Sequence, residues 1–156
     1  MRPAVFLDRD GTIIEERGYL DRLDLLELYS FTADAIRLLN RAGYATVVIT
    51  NQAAIGRGVI DETFLHTVHA ELDARLAAGN ARIDRYYFCP HHPDAAIAEY
   101  RRVCGCRKPG AGMMLAARSF AAQASASGPV GRGVGRSDLA SMGAVSVIGA
   151  SVNRRG

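Results

Sequence analysis

Along the chain, short continuous apolar runs alternate with stretches of helical periodicity. Pro3 to Leu7 is an apolar run of strand length, and Asp8 to Thr12 follows it as a loop. Asp34 to Ala42 sets Ile36, Leu38, Leu39 and Ala42 on one helical face, with Gly43 as a stop signal. Tyr44 to Ile49 is rich in β-branched residues and predicts a second buried strand. A long helix begins at Asp61 and Glu62, carries Phe64, Leu65, Val68, Leu72 and Leu76 at helical spacing, and ends at Gly79-Asn80. Ile83 to Phe88 reads as a third strand, Gly112 to Gln123 as an Ala-rich helix, and Ala144 to Ile148 as one more candidate strand. Alternating strands and helices predict an α/β fold, Rossmann-like, in which a parallel sheet lies between helices on both faces. Ligands of such sheets bind at the carboxyl ends of the strands. Asp8, Thr50 and Cys89 each follow a predicted strand, so they are expected on one edge.

Two segments depart from the alternation. Pro90 to Pro109 is a long loop, and a loop of that length asks for a cause. Ser125 to Gly135 is rich in Gly, Ser and Ala with weak periodicity, and residues 125–156 read as atypical. No internal repeat is present.

Composition narrows the picture further. The length of 156 residues fits one domain, here 1–156, with enough chain for a proper core. Apolar residues at 49% and charged residues at 22% are ordinary for a soluble globular protein. A formal charge of +3 is too mild to argue for nucleic acid, and no basic stripe interleaved with aromatics is present. No stretch is long enough to cross a membrane, and Met1 to Leu7 is too short an apolar run for a signal peptide. The expectation is a cytoplasmic monomer with a small-molecule partner and no nucleic acid or membrane partner. Three cysteines, Cys89, Cys104 and Cys106, cannot pair fully within one chain; clustered near a histidine they point to metal.

The first chemical constellation is Asp8-Arg9-Asp10-Gly11-Thr12. Residues two apart on an extended backbone point the same way, so Asp8 and Asp10 can address one pocket. One carboxylate can attack phosphorus while the other protonates the leaving oxygen and later activates water. Mg²⁺ suits such a site because it takes few carboxylates plus phosphate oxygens. Gly11 permits a tight turn beside the ligand. The second constellation is Cys89-Pro90-His91-His92-Pro93 with Cys104-Gly105-Cys106-Arg107-Lys108-Pro109. Cys89, His91, Cys104 and Cys106 form a Cys₃His set suited to a closed, tetrahedral structural zinc site, with His92 as the alternative nitrogen ligand. A metal there supplies the cause for a loop spanning 89–108.

A strand ending in Asp-x-Asp-Gly-Thr resembles the haloacid dehalogenase superfamily of phosphohydrolases, and Val47-Val48-Ile49-Thr50-Asn51-Gln52 resembles its second motif. With the cysteine loop, the resemblance narrows to the family that holds the D-glycero-D-manno-heptose 1,7-bisphosphate and histidinol-phosphate phosphatases. It covers residues 4 to about 120, and the long insert before Cys104 looks more like the heptose branch. The resemblance implies a magnesium-dependent phosphatase of a phosphorylated sugar, serving heptose biosynthesis in the cytoplasm through an aspartyl-phosphate intermediate. Histidinol phosphate is the alternative substrate. Asp8 would be the nucleophile and Asp10 the general acid/base, both also holding Mg²⁺, with Thr50 and Lys108 stabilising the phosphoryl group. Glu16, Arg17, Gly18 and Tyr19, together with Asn51, Gln52, Ala53 and Arg107, would contact the substrate. The family pattern favours His91 over His92 as the zinc ligand.

The fourth superfamily motif departs from the pattern. Its Val-Gly-Asp carries a magnesium ligand, whereas here Val130-Gly131 is followed by Arg132, and ungapped counting from Lys108 places Gly133 at the ligand position. Asp138 is the sole carboxylate after Glu99 and is therefore the candidate replacement ligand. The chain also ends earlier than these enzymes usually do, so a diverged or truncated C-terminus is expected. A zinc-stabilised pseudo-enzyme that has lost a magnesium ligand is the competing reading, and weak magnesium affinity is expected.

Overall fold

The structure is a computed structural model, and it describes residues 3–124 and 146–148. The first strand, β1, spans Ala4–Leu7, and all four of its residues are buried. Helix α1 follows at Thr32–Arg41, strand β2 at Ala45–Asn51, the one-turn helix α2 at Ala53–Gly56 and helix α3 at Glu62–Ala78. Strand β3 spans Arg85–Cys89, helix α4 Gly112–Ala124 and strand β4 Ser146–Ile148. All the strand pairs are parallel, in the order β3-β2-β1-β4.

Period-two alternation along the strands divides the core into two layers. Val5, Leu7 and Val48 point to one face, where Ile36 of α1 and Val68, Leu72 and Leu76 of α3 cover them. Ala4, Phe6, Val47 and Ile49 point to the other, against Met113 and Ala117 of α4. The expected sheet between two helical layers is therefore present. The Asp61 carboxylate accepts from the Phe64 N–H at 2.7 Å and caps α3, where the sequence places the helix start.

The boundaries differ from expectation in instructive places. β2 runs on through Thr50 and Asn51, because both pair in register with Phe88 and Cys89. β3 begins at Arg85 and takes in Cys89, so Ile83 lies before it. The loop after β3 contains a 3₁₀ turn at Ala98–Tyr100, and α2 is an element the apolar pattern does not predict. Between β1 and α1 the chain turns tightly, with Gly11 at φ 75° and its N–H donating to the Ile14 carbonyl at 2.8 Å. The Glu15 N–H then donates to the Glu27 carbonyl at 2.9 Å, closing the base of a loop that carries residues 16–20 out over the strand ends.

Candidate active site and metal site

Parity along the first strand decides where its polar continuation goes. Arg9 follows Val5 and Leu7 onto the α3 side; Asp8 and Asp10 take the opposite phase. Asp8 is buried, and its Oδ2 lies 2.6 Å from Lys108 Nζ while Oδ1 accepts from the Arg9 backbone N–H at 2.9 Å. Lys108 Nζ also donates to the Ile49 carbonyl at 3.1 Å, so the cation is seated on β2.

Asp10 is held from two sides. Arg9 donates to it from Nε at 3.2 Å and from Nη2 at 2.9 Å, a forked ion pair. Thr50 Oγ1 donates to Asp10 Oδ2 at 3.2 Å, and Gln52 Nε2 donates to the same oxygen at 3.0 Å and to Thr50 Oγ1 at 2.9 Å. The arrangement thus gathers two carboxylates, a lysine, a hydroxyl and an amide at the carboxyl ends of β1 and β2.

Arg9 is the residue that sequence reasoning missed. Its side chain is only 2% exposed, an unusual depth for a guanidinium, and its charge is met by Asp10. Beneath it, Arg9 Nη1 lies 3.5 Å from His69 Nε2 on α3. Burial, reinforced by the Arg9 and His66 charges, pulls His69 down to about 3, so the ring is neutral at ordinary pH. His69 stacks on Tyr86 at 4.2 Å, and the Tyr86 hydroxyl donates to Asp73 at 2.7 Å. Burial raises both Tyr86 and Asp73 above their ordinary values. The available signal was the strand's own alternation, which carries Arg9 inward.

Beside Asp10 opens a cleft of ≈ 110 Å³. Of the predicted contact residues, Glu16, Gly18, Tyr19, Asn51, Gln52 and Ala53 line it, together with Arg9 and Asp10. The Glu16 carboxylate accepts from the Gly18 N–H at 2.9 Å and so shapes its own loop. Arg17 is turned elsewhere: it pairs with Glu15 and Glu27 and is absent from the cleft wall. Arg107 also lies outside that wall and donates to the His91 carbonyl at 3.2 Å. Asp138 lies outside the described residues.

The cysteine loop closes into a cluster in which one ligand atom each from Cys89, His91, Cys104 and Cys106 lies within 4.8 Å of the others. Cys89 Sγ is 3.0 Å from Cys106 Sγ and 3.5 Å from Cys104 Sγ, and His91 Nδ1 is 3.3 Å from Cys106 Sγ. The two thiol–thiol spacings fall under the edge of about 3.8 Å that a tetrahedron of zinc–thiolate bonds requires, so the thiols must move apart to take the ion. Three thiols and an imidazole are a soft donor set, and the cluster can hold a metal ion such as zinc. His92 lies outside the cluster, with its Nδ1 accepting from the Asp94 N–H at 3.1 Å. Burial drives the Cys89 thiol well up. At Cys104 burial acts in the same sense, but hydrogen bonds from the Cys106 thiol and from backbone N–H groups outweigh it and lower the group. At the carboxyl ends of β1 and β2, the Asp8 and Asp10 oxygens are hard donors of the kind a magnesium ion takes.

No family model matches the chain. It is 47% identical over 118 residues to the D-glycero-beta-D-manno-heptose-1,7-bisphosphate 7-phosphatase of Salmonella typhi, a match covering 76% of this chain and 63% of that protein. The Escherichia coli K12 protein of the same name is 45% identical over 118 residues, covering 76% of this chain and 62% of its own length. The chain thus spans just under two thirds of these curated relatives. Among solved structures, a HAD-like phosphatase from Mesorhizobium loti superposes with a TM-score of 0.73 at 31% identity, covering 78% of this chain and 58% of that one. The D,D-heptose 1,7-bisphosphate phosphatase of B. bronchiseptica, complexed with magnesium and phosphate, does so with a TM-score of 0.66 at 30% identity, covering 76% of this chain and 63% of that one. Among the described residues no helix is long and apolar enough to cross a membrane. Sequence identity of 45–47% over about three quarters of its length and a shared fold make this chain similar to the haloacid dehalogenase-like phosphatases.

Proposed function

We propose that this chain hydrolyses a phosphomonoester of a small sugar bisphosphate, D-glycero-β-D-manno-heptose 1,7-bisphosphate. The observation that carries the reading is the 2.6 Å contact of Lys108 with Asp8 at the end of β1, beside an Asp10 already fastened by Thr50 and Arg9. The relatives' names supply the substrate class.

In this reading Asp8 attacks phosphorus, the bond from phosphorus to the sugar oxygen breaks, and Asp10 gives that oxygen its proton. Asp10 then takes a proton from the water that cleaves the aspartyl phosphate, which restores Asp8 and frees inorganic phosphate. Lys108 and the Thr50 hydroxyl donate to the phosphoryl oxygens and balance the charge that gathers there. Glu16, Gly18, Tyr19, Gln52 and Ala53 form the wall against which the sugar lies. Asp8 and Asp10 would hold magnesium, which supplies positive charge to the phosphoryl group when bound. Cys89, His91, Cys104 and Cys106 would hold a structural zinc ion that orders the loop leading to Lys108.

The test is phosphate release with magnesium from the heptose bisphosphate and from histidinol phosphate, with Asp8→Asn as control. One phosphate released from the bisphosphate, and none by the variant, is the expected result. Preference for histidinol phosphate would replace the substrate. No release from either, by a folded and zinc-loaded protein, would leave the non-catalytic, zinc-stabilised module that the missing fourth-motif Asp favours.

A further inference from the structure

Asn51 closes β2, and the family resemblance assigns it to the substrate, yet its amide is engaged elsewhere. Its Oδ1 accepts from the Lys108 backbone N–H at 2.9 Å, and its Nδ2 donates to the Lys108 carbonyl at 3.2 Å. One side chain thus satisfies both backbone polar groups of a residue 57 positions away. An amide is suited to this task because it carries a donor and an acceptor side by side.

The contact stands where the two halves of the site meet. Asn51 pairs in register with Cys89, the first thiol of the metal cluster. Lys108 follows Cys106 by two residues, and its Nζ reaches Asp8. Asn51 therefore ties the end of the cysteine loop to the strand whose Ile49 carbonyl receives the same ammonium group.

We propose that Asn51 is a positioning residue for Lys108, and that its amide, through the Lys108 backbone, sets where the ammonium group meets Asp8. The inference rests on the phosphatase reading and deepens it. It assigns Asn51 an effect on the phosphoryl end of any substrate, whatever alcohol the phosphate leaves.

The test is a kinetic cycle of Asn51→Ala, Lys108→Ala and the double variant in the zinc-loaded protein. Each is assayed with the sugar bisphosphate and with p-nitrophenyl phosphate, which has no sugar to recognise. Asn51→Ala is expected to lower kcat up to about 100-fold on both substrates with KM little changed, as a misplaced catalytic group does. The double variant is expected to be no slower than Lys108→Ala. A loss confined to KM for the sugar substrate, or a loss that multiplies with that of Lys108→Ala, overturns the proposal. If Asn51→Ala does not fold, Asn51→Asp takes its place in the cycle, since it keeps the acceptor and loses the donor. Amide exchange at Lys108 gives a reading that needs no turnover: protection should fall in Asn51→Ala, which removes the acceptor of the Lys108 N–H, and unchanged protection in that variant also overturns the proposal. A wild-type chain that releases no phosphate defeats the phosphatase reading instead, and the exchange result still decides the role of Asn51.

Discussion

Asp8 and Lys108 lie 2.6 Å apart, but the chain reaches the two positions by different means. Asp8 is the next residue after a strand buried throughout, clamped between β2 and β4 and covered by helices on both faces. Lys108 ends a loop that begins at Pro90, includes one 3₁₀ turn, and leaves Val103 87% exposed. That loop is gathered by the Cys/His cluster, by Arg101 donating to the carbonyls of Ala95 and Ala96, by the Gly112 N–H donating to the Gly105 carbonyl, and by the bonds that Ile97 makes to Gly56 and Lys108 to Asn51. A sheet supplies precision to residues that follow its strands, through burial of every neighbour. A residue delivered by a loop needs its own fastening, and a metal ion can provide one where no core can form.

The sharpest way to test that comparison is to remove one member of each half. Asp8→Asn should abolish turnover while leaving the fold intact, because an amide cannot form the acyl phosphate and occupies the same volume. Wild-type rates from this variant would refute the assigned mechanism. Cys106→Ser should act on the other half: zinc content drops below one per chain, backbone amides from 89 to 108 lose exchange protection, and turnover falls by about 10- to 100-fold. Amides of β1 and β2 should keep theirs. Loss of protection across the whole sheet would show that the two halves are not separately held.

The two halves also differ in how far the sequence discloses them. The apolar runs that form β1 and β2 and the periodic face of α3 are legible because burial there is decided locally, by spacing two and by spacing three and four. The Cys₃His set is legible because ligand chemistry needs only residue type and approximate spacing. Arg9 is not, since a basic residue between two aspartates reads as solvated until α3 is known to roof it. Asn51 reads as a substrate contact; only the fold shows that its amide meets Lys108, far along the chain. The orientation of Arg17 toward Glu27 likewise depends on how residues 15 and 27 pair across a loop.

Two smaller perturbations separate core from loop by stability. Leu72→Ala removes a fully buried side chain from the α3 layer and should cost about 2–5 kcal/mol in denaturant unfolding, with the zinc content of the native protein unchanged. Gly56→Ala acts where α2 meets the loop. A Cβ there would stand 2.7 Å from the Pro90 carbonyl oxygen and 3.1 Å from Ala95 Cβ. Backbone must shift to admit it, at about 1–3 kcal/mol. The shift should register as faster exchange at Ile97, whose N–H donates to the Gly56 carbonyl at 2.9 Å. Unaltered exchange there would mean that α2 does not brace the loop.

The smallest effect belongs to the buried group under Asp10, and it reports on the core half alone. His69 titrates at about 3 in the folded chain against an ordinary 6.5, because burial and the neighbouring Arg9 and His66 charges oppose a second positive charge, with Asp10 acting weakly the other way. The unfolded chain takes up a proton as pH falls through 6.5 and the folded chain does not. The contribution of a neutral His69 is therefore whole above that pH and is lost progressively as pH falls to about 3. At a pH about one unit below the unfolded value the loss should be on the order of 1 kcal/mol. Asp73, raised by burial, acts with the opposite sign above its unfolded value of 3.8, and the thiols of the cluster add pH dependence of their own. Both are common to wild type and His69→Gln, so the comparison is between their slopes and not their absolute stabilities. The glutamine of that variant keeps a side-chain acceptor for Arg9 and does not titrate. Urea unfolding at about pH 7.5 and about pH 5.5 should show wild type losing about 1 kcal/mol more than the variant. Parallel profiles would mean that His69 finds a proton in the folded state, and that the Arg9 layer is open to water much as the cysteine loop is.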